Sequence, residues 1–451
     1  MKLTDLNRHG GIGANSLYLQ LGDFHLVVDS GLHPKLAGRD ALPDFAPLKD
    51  VKLDLVIITH CHLDHIGSLP VLLRHHPKVP VVLTHPSRML IDRMLHNSVN
   101  VMLREREEKG LTEYPLYGHE EIDRCVPRLH AHAFSQPKRF SGAKDEVEFT
   151  FHPAGHIVGA AGVELKHRRK HVFLTGDVLF EAQRTLPGAM FPRRHFDVVV
   201  TETTRGATPR NPGQARSLEL IRLVDTINAT LQRGGSVLIP VFALGRLQEV
   251  LAVLHDARKF NRLAPAPIFA SGLGMDLADY FDQIAKKTGL VHFTRTIIKD
   301  LKVMKTPRDL VPGKEPRQGI YVVSSGMMVE NTPSYTVASC LAGHAKHSIC
   351  FVGYCDPDTP GGHLLAAKPG GDFLFSAANV KVKLRAHVDR FHLSGHADRE
   401  QLLDYTVACE PRTVVLTHGD PPARDWFAGE LPARLPKAKV LNPTPLQTYQ
   451  V

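Results

Sequence analysis

The sequence predicts an α/β protein: a sandwich of two β-sheets with helices outside, interrupted by an inserted α/β domain. Three observations point there. Short apolar runs and helix-like stretches alternate through the first two hundred residues. From Pro209 onward buried strand patterns alternate regularly with helical ones, and near Val380 strand character returns before a final apolar run at 414–417. The expected division is 1–208 for the first part of the sandwich, 209–385 for the insert and 386–451 for the last part.

Taken in order, 16–21 and 24–28 read as strands joined by a Gly22-Asp23 hairpin turn. The run 53–59 is apolar at nearly every position, as in a strand covered on both faces, and 79–84 is another. A short helix fits 69–74, and a long one fits 87–109, stopped by Gly110. Strands follow at 146–151, 162–166, 171–175 and 196–201. In the insert, 213–233 and 245–255 have helical periodicity, while 236–240, 267–270, 319–324 and 348–352 read as parallel strands. The stretch 299–318, rich in Lys, Pro and Arg, reads as a surface loop. No repeat of fixed period is present.

Composition narrows the class. With 43% hydrophobic and 22% charged residues and no low-complexity tract, neither a disordered chain nor a coiled coil is expected. No apolar run approaches the ~20 residues that span a bilayer, and the opening residues lack the apolar stretch of a signal peptide. A cytoplasmic protein without membrane partners is expected. Cysteines at 61, 125, 340, 350, 355 and 409 stand singly, which suits a reducing compartment better than a disulfide scaffold. Histidine is the outlier, with 27 in the chain, so position must separate ligands from the rest.

The run His60-Cys61-His62-Leu63-Asp64-His65 follows the apolar segment 53–59 directly. A turn at a strand end can gather its side chains at one point of a sheet edge. Neutral imidazole and carboxylate suit Zn²⁺ at ~2.0–2.2 Å. Four such groups in six residues cannot all reach one ion comfortably, so the spacing points to two adjacent ions. His130-Ala131-His132 has the same spacing but no following carboxylate or glycine. It is expected to have no role, and the same holds for His75, His76 and His167.

In this motif the sequence resembles the metallo-β-lactamase superfamily, and further matches follow in that family's order. Asp29, in Val27-Val28-Asp29-Ser30-Gly31, matches a carboxylate that orients a ligand histidine. His156, in Gly155-His156-Ile157-Val158-Gly159, matches the third motif, and Asp177, in Thr175-Gly176-Asp177, the carboxylate that bridges two metals. The resemblance implies that family's αββα sandwich, but its members hydrolyse lactams, thioesters, phosphodiesters and sulfates, so fold alone does not choose a reaction.

The remaining matches narrow the choice. The best last metal histidine, His418 in Thr417-His418-Gly419-Asp420, lies so far beyond Asp177 that a whole domain must intervene. That insertion resembles the β-CASP subgroup of nucleic-acid-processing members. Glu202 matches its motif A, His396 in Ser394-Gly395-His396-Ala397-Asp398 its motif B, and His418 its motif C. The blocks 239–249, 324–327 and 353–362 look like the subgroup's internal blocks. Histidine at motif C is similar to the RNA-processing members, whereas the DNA-repair branch usually carries an apolar residue there. The short segments before His60 and after His418 resemble the cleavage-and-polyadenylation endonuclease core. One departure is Arg205, which stands where the subgroup often has an aromatic residue.

The resemblance implies two Zn²⁺ ions, one held by His60, His62 and His156, the other by Asp64, His65 and His418, with Asp177 between them. The expected reaction is hydrolysis of RNA phosphodiester bonds by a hydroxide that both ions activate, Asp64 counting as a catalytic residue as well as a ligand. The departing 3′ oxygen needs a proton, for which His396 polarised by Glu202 is the candidate general acid. Arg246 and Ser394 are candidate contacts to the substrate phosphate. The net charge of +9 fits RNA, single-stranded RNA in particular, and a homodimer is compatible with the chain. Rival expectations are a DNA nuclease of the same fold, an inactive scaffold subunit, and a thioester or lactam hydrolase. The intact ligand set speaks against the second, and the large insert against the third.

Overall fold

The computed structural model describes residues 1–209, 213, 215–307 and 309–451. The chain divides into two compact units. Met1–Ala182, Gly188–Arg210 and His396–Val451 make the first, Gln183–Pro187 and Asn211–Gly395 the second.

The first unit is built on two seven-stranded sheets. One runs in the order Thr448–Gln450, Lys2–Asp5, Leu17–Leu21, Phe24–Val28, Leu55–Ile57, Val81–Thr84, Leu129–His132. The other runs Lys439–Leu441, Thr413–Thr417, Val198–Glu202, Lys170–Leu174, Ala161–His167, Glu146–Pro153, Lys138–Ser141. Alternation at period two decides which side chains enter the layer between them. Leu17, Leu19 and Leu21 are buried while Tyr18 and Gln20 are half-buried, and the leucines join Phe149, Phe151, Val163, Val198 and Val200 in one apolar cluster. The second sheet is covered on its other face too. Val199 packs with Phe173, Phe196 and Tyr405, and Val414 and Leu416 with Phe427 and Leu431 of the helix Pro421–Arg434. Strands buried on both faces therefore read as continuous apolar runs.

The long helix His85–Lys109 begins two residues before the expected start, because Thr84 caps it by accepting from the Ser87 amide. It ends where Gly110 turns left-handed at φ 68°. Among the described residues no helix is long and apolar enough to cross a membrane. All six cysteines are free and buried.

The second unit is a six-stranded parallel sheet in the order Met304–Lys305, Ile268–Ala270, Ile320–Val323, Val237–Pro240, Ser348–Val352, His387–Phe391. The helices Arg216–Gln232, Arg246–Lys259 and Pro333–Leu341 pack on it, and Leu238, Phe269, Tyr321, Phe351 and Tyr335 share its core. Two elements differ from the sequence reading. The strand His387–Phe391 pairs with Ser348–Val352, so the second unit continues past the expected division at 385. The expected loop 299–318 contributes the short strand Met304–Lys305. Gln214 of the expected helix 213–233 and Arg308 of that loop lie outside the described residues.

Candidate metal centre

Parallel strands place the site residues at their C-terminal ends. In the first sheet Phe24–Val28 and Leu55–Ile57 run parallel with Val28 beside Ile57. Asp29 and the turn from Thr59 to His62 therefore emerge side by side, and the short helix Leu63–Ile66 carries Asp64 and His65. Gly31 allows this closeness, because a Cβ there would stand 1.7 Å from the Asp64 carbonyl oxygen. In the second sheet Lys170–Leu174, Val198–Glu202 and Thr413–Thr417 run parallel and deliver Asp177, Glu202 and His418 from neighbouring ends. His156 sits between Gly155 and Gly159, both at positive φ (70° and 84°), in the turn joining Glu146–Pro153 to Ala161–His167.

These side chains meet in two adjacent groups, His60, His62, His156 and Asp177 in one and Asp64, His65 and His418 in the other, and Asp177, Glu202 and His418 form a third group that joins them. His62 Nδ1 lies 3.2 Å from His60 Nε2 and 3.1 Å from His156 Nε2. Asp177 Oδ2 is 3.7 Å from His60 Nε2, 3.7 Å from His156 Nε2 and 3.5 Å from His65 Nε2, so it reaches into both groups. His418 Nε2 is 3.4 Å from Asp64 Oδ2.

The donor set fits divalent cations. A tetrahedral ion with bonds of ~2.0–2.2 Å separates its ligand atoms by roughly 3.3–3.6 Å, close to the 3.1–3.7 Å between these donors. His65 Nε2 and Asp177 Oδ1 are buried without a hydrogen-bond partner, a costly state that a cation relieves. Electrostatics agrees. His65 is completely buried, which opposes charge, yet Asp177, Asp64 and Asp29 together push its pKa well above the ordinary histidine value. The same pocket holds Asp177 well below the carboxylate range despite burial, because His418 and His65 face it. His60, buried beside His65, is instead pushed well below the ordinary histidine value, so the cluster offers neutral imidazole as well as ionised carboxylate, the donor types that suit a divalent cation.

Supporting contacts fix the ligands. Asp29, at φ 63°, accepts from His65 Nδ1 at 2.8 Å, from the Thr59 amide at 2.7 Å and from Thr59 Oγ1 at 2.7 Å. Asn15 Nδ2 lies 3.4 Å from Asp29 Oδ2, and Thr204 Oγ1 lies 3.0 Å from His418 Nδ1. Sequence reasoning missed Asn15, Thr59 and Thr204. Only Thr59, adjacent to His60 at the strand end, carried a positional signal.

Glu202 and His396 form a pair beside the metal ligands. His396 Nδ1 is 3.0 Å from Glu202 Oε2, and Glu202 Oε1 is anchored by the Val178 amide at 2.7 Å. The His396 ring centroid is 4.5 Å from that of His156. Burial disfavours its charged form, but Glu202, Asp177 and Asp64 together outweigh burial and raise the His396 pKa. The other two expected contacts lie in the second unit. Arg246 is buried, donating to the Leu393 carbonyl at 3.0 Å and to the Gln183 side chain, and the Ser394 carbonyl accepts from Arg216 Nη1 at 3.1 Å. His130 and His132 lie on the edge strand Leu129–His132, outside both donor groups.

Comparison with known proteins agrees with this geometry. Residues 9–225 match the family model of the metallo-beta-lactamase superfamily, 247–364 that of the Beta-Casp domain, and 381–438 that of the Zn-dependent metallo-hydrolase RNA specificity domain. Over 93% of its length the chain is 30% identical to transcription termination factor FttA of Pyrococcus abyssi, covering 67% of that protein. It is 27% identical, again over 93% of its length, to endoribonuclease YSH1 of Kluyveromyces lactis, of which it spans only 55%. A crystal structure of a protein of unknown function from Enterococcus faecalis V583 shares the fold, with a TM-score of 0.53 at 14% identity over 99% of both chains. The chain belongs to the metallo-β-lactamase superfamily of metal-dependent hydrolases, in its β-CASP branch.

Proposed function

We propose that this chain is a zinc-dependent ribonuclease that hydrolyses RNA phosphodiester bonds, with single-stranded RNA as the preferred substrate. The observation that carries the reading is the juxtaposition of a complete seven-residue donor set with the His396–Glu202 pair. The RNA assignment is supported by the RNA specificity domain matched at 381–438 and by the relative named as an endoribonuclease. Histidine, not an apolar residue, at position 418 favours RNA over DNA.

His60, His62 and His156 would hold one zinc, Asp64, His65 and His418 a second, and Asp177 would bridge them. Bound there, the ions would lower the pKa of water and neutralise charge developing on the scissile phosphate. The protein's own part is to keep the imidazole lone pairs aimed and to supply a proton. Glu202 holds the His396 ring through Nδ1, and Nε2 is the atom that would protonate the departing 3′ oxygen.

The test combines zinc analysis with cleavage of circular RNA, end-labelled RNA and the DNA strand of matched sequence. Two zinc equivalents and cleavage of RNA in preference to DNA are expected, and cleavage of the circle identifies an endonuclease. A zinc-loaded protein that cuts DNA and spares RNA overturns the substrate, and one that cuts neither overturns the activity.

A further inference from the structure

The strand Val198–Glu202 runs into a turn whose side chains reach both halves of the site. Thr204 Oγ1 donates to the His418 carbonyl at 3.2 Å and lies 3.0 Å from His418 Nδ1. A hydroxyl has one proton. With that proton on the carbonyl, the oxygen can only accept from the ring, so Nδ1 carries the hydrogen and the lone pair sits on Nε2. The negative charge on Asp177 Oδ1, 3.4 Å from the same Nδ1, also favours a hydrogen on that nitrogen. Nε2 is the atom that faces Asp64, in the second donor group. His418 itself is left-handed at φ 46°, a conformation uncommon outside glycine but one that histidine tolerates better than most residues.

The next residue serves the other half. Arg205 donates from Nη1 to the carbonyl of His396 at 3.4 Å. The turn itself is pinned: Arg399 Nη1 donates to the Gly206 carbonyl at 3.2 Å, and a Cβ on Gly206 would stand 2.3 Å from the Ala423 carbonyl oxygen.

We propose that Thr204 and Arg205 are positioning residues: Thr204 sets the tautomer and ring orientation of His418 toward the metal, and Arg205 holds the main chain that carries His396. The inference rests on the zinc ribonuclease reading, and the experiment separates the two.

Zinc binding is measured without RNA by competition with a chromophoric chelator, and Co²⁺ in place of zinc reports the coordination by its visible spectrum. Thr204→Val is expected to weaken one of the two zinc equivalents about 10–100-fold and to alter the cobalt spectrum, while Thr204→Ser binds like the wild type. Thr204→Val binding like the wild type, or Thr204→Ser as weakly as Thr204→Val, overturns the role of Thr204. Arg205→Met and Arg205→Lys are then compared on RNA and on bis(p-nitrophenyl) phosphate, whose leaving group departs without a proton donor. Arg205→Met is expected to keep both zinc equivalents and its KM for RNA, and to lose at least about tenfold in kcat on RNA alone, with partial recovery in Arg205→Lys. Equal losses on both substrates, or none on RNA, overturn the role of Arg205. A wild-type protein that takes up no zinc or leaves RNA intact overturns the ribonuclease reading itself.

Discussion

Asp29 Oδ2 stands 2.8 Å from Nδ1 of His65, which leaves Nε2 as the ring atom facing the donor cluster. Replacing this carboxylate removes both the hydrogen bond and a buried charge. Asp29→Ala is expected to weaken zinc binding about 10–100-fold in chelator competition. Asp29→Asn keeps an acceptor and tolerates the left-handed backbone, so its loss should be smaller. Unchanged affinity in Asp29→Ala would refute the orienting role.

His396 contributes a proton and no metal bond in the proposed chemistry. His396→Ala should therefore retain two zinc equivalents while RNA turnover falls by about 10²–10⁴-fold. Metal analysis decides the matter, since loss of an equivalent would make His396 a ligand.

Removal of metal should destabilise as well as inactivate. Four carboxylates, Asp29, Asp64, Asp177 and Glu202, converge on the site, and a ligand that binds only the folded state adds about 2.7 kcal/mol at a concentration 100 times its Kd. Treatment with a chelator is expected to lower Tm and abolish RNA cleavage, and added Zn²⁺ to restore both. A Tm indifferent to zinc would count against a site formed by folding.

Outside the site, His347 gives the fold a pH dependence. Its Nδ1 accepts from the Ser236 amide at 2.8 Å, which requires that nitrogen to be unprotonated. Burial lowers its pKa from 6.5 to about 4, with Lys346 and His344 acting in the same direction and Glu315 against them. Between these values the unfolded chain takes up a proton that the folded chain refuses, so stability falls as pH drops from 6.5 toward 4. Asparagine at 347 can accept through Oδ1 without titrating. The Tm of metal-free His347→Asn should fall less than that of the wild type across this window, and parallel curves would exclude His347 as the source.

What the sequence revealed follows from the range of the interactions. The hairpin of Leu17–Leu21 and Phe24–Val28, the stop at Gly110 and the run His60 to His65 are written in neighbouring residues. His156, Asp177 and His418 are picked out by their resemblance to the metallo-β-lactamase motifs, since a histidine or aspartate after glycine at a strand end is a weak signal by itself. Asn15, Thr59 and Thr204 support the ligands through a few isolated hydrogen bonds, which leave no periodicity or motif behind. Arg246 is a candidate phosphate contact through the block 239–249 in which it sits, and its burial and its bond to the Leu393 carbonyl, which depend on distant chain segments, are not legible there. The place of His387–Phe391 in the second sheet was hidden likewise, since pairing with Ser348–Val352 is a non-local event.

The donor set draws on positions from His60 to His418, with an entire independent sheet threaded between Asp177 and the last ligand. During translation the strand Val198–Glu202 must wait, unpartnered on one edge, until Thr413–Thr417 has left the ribosome. A stalled or truncated product that stops short of this point lacks His418 and would carry an incomplete centre. Because the last ligand follows the whole second unit in the sequence, all seven donors are present only once that unit has been synthesised.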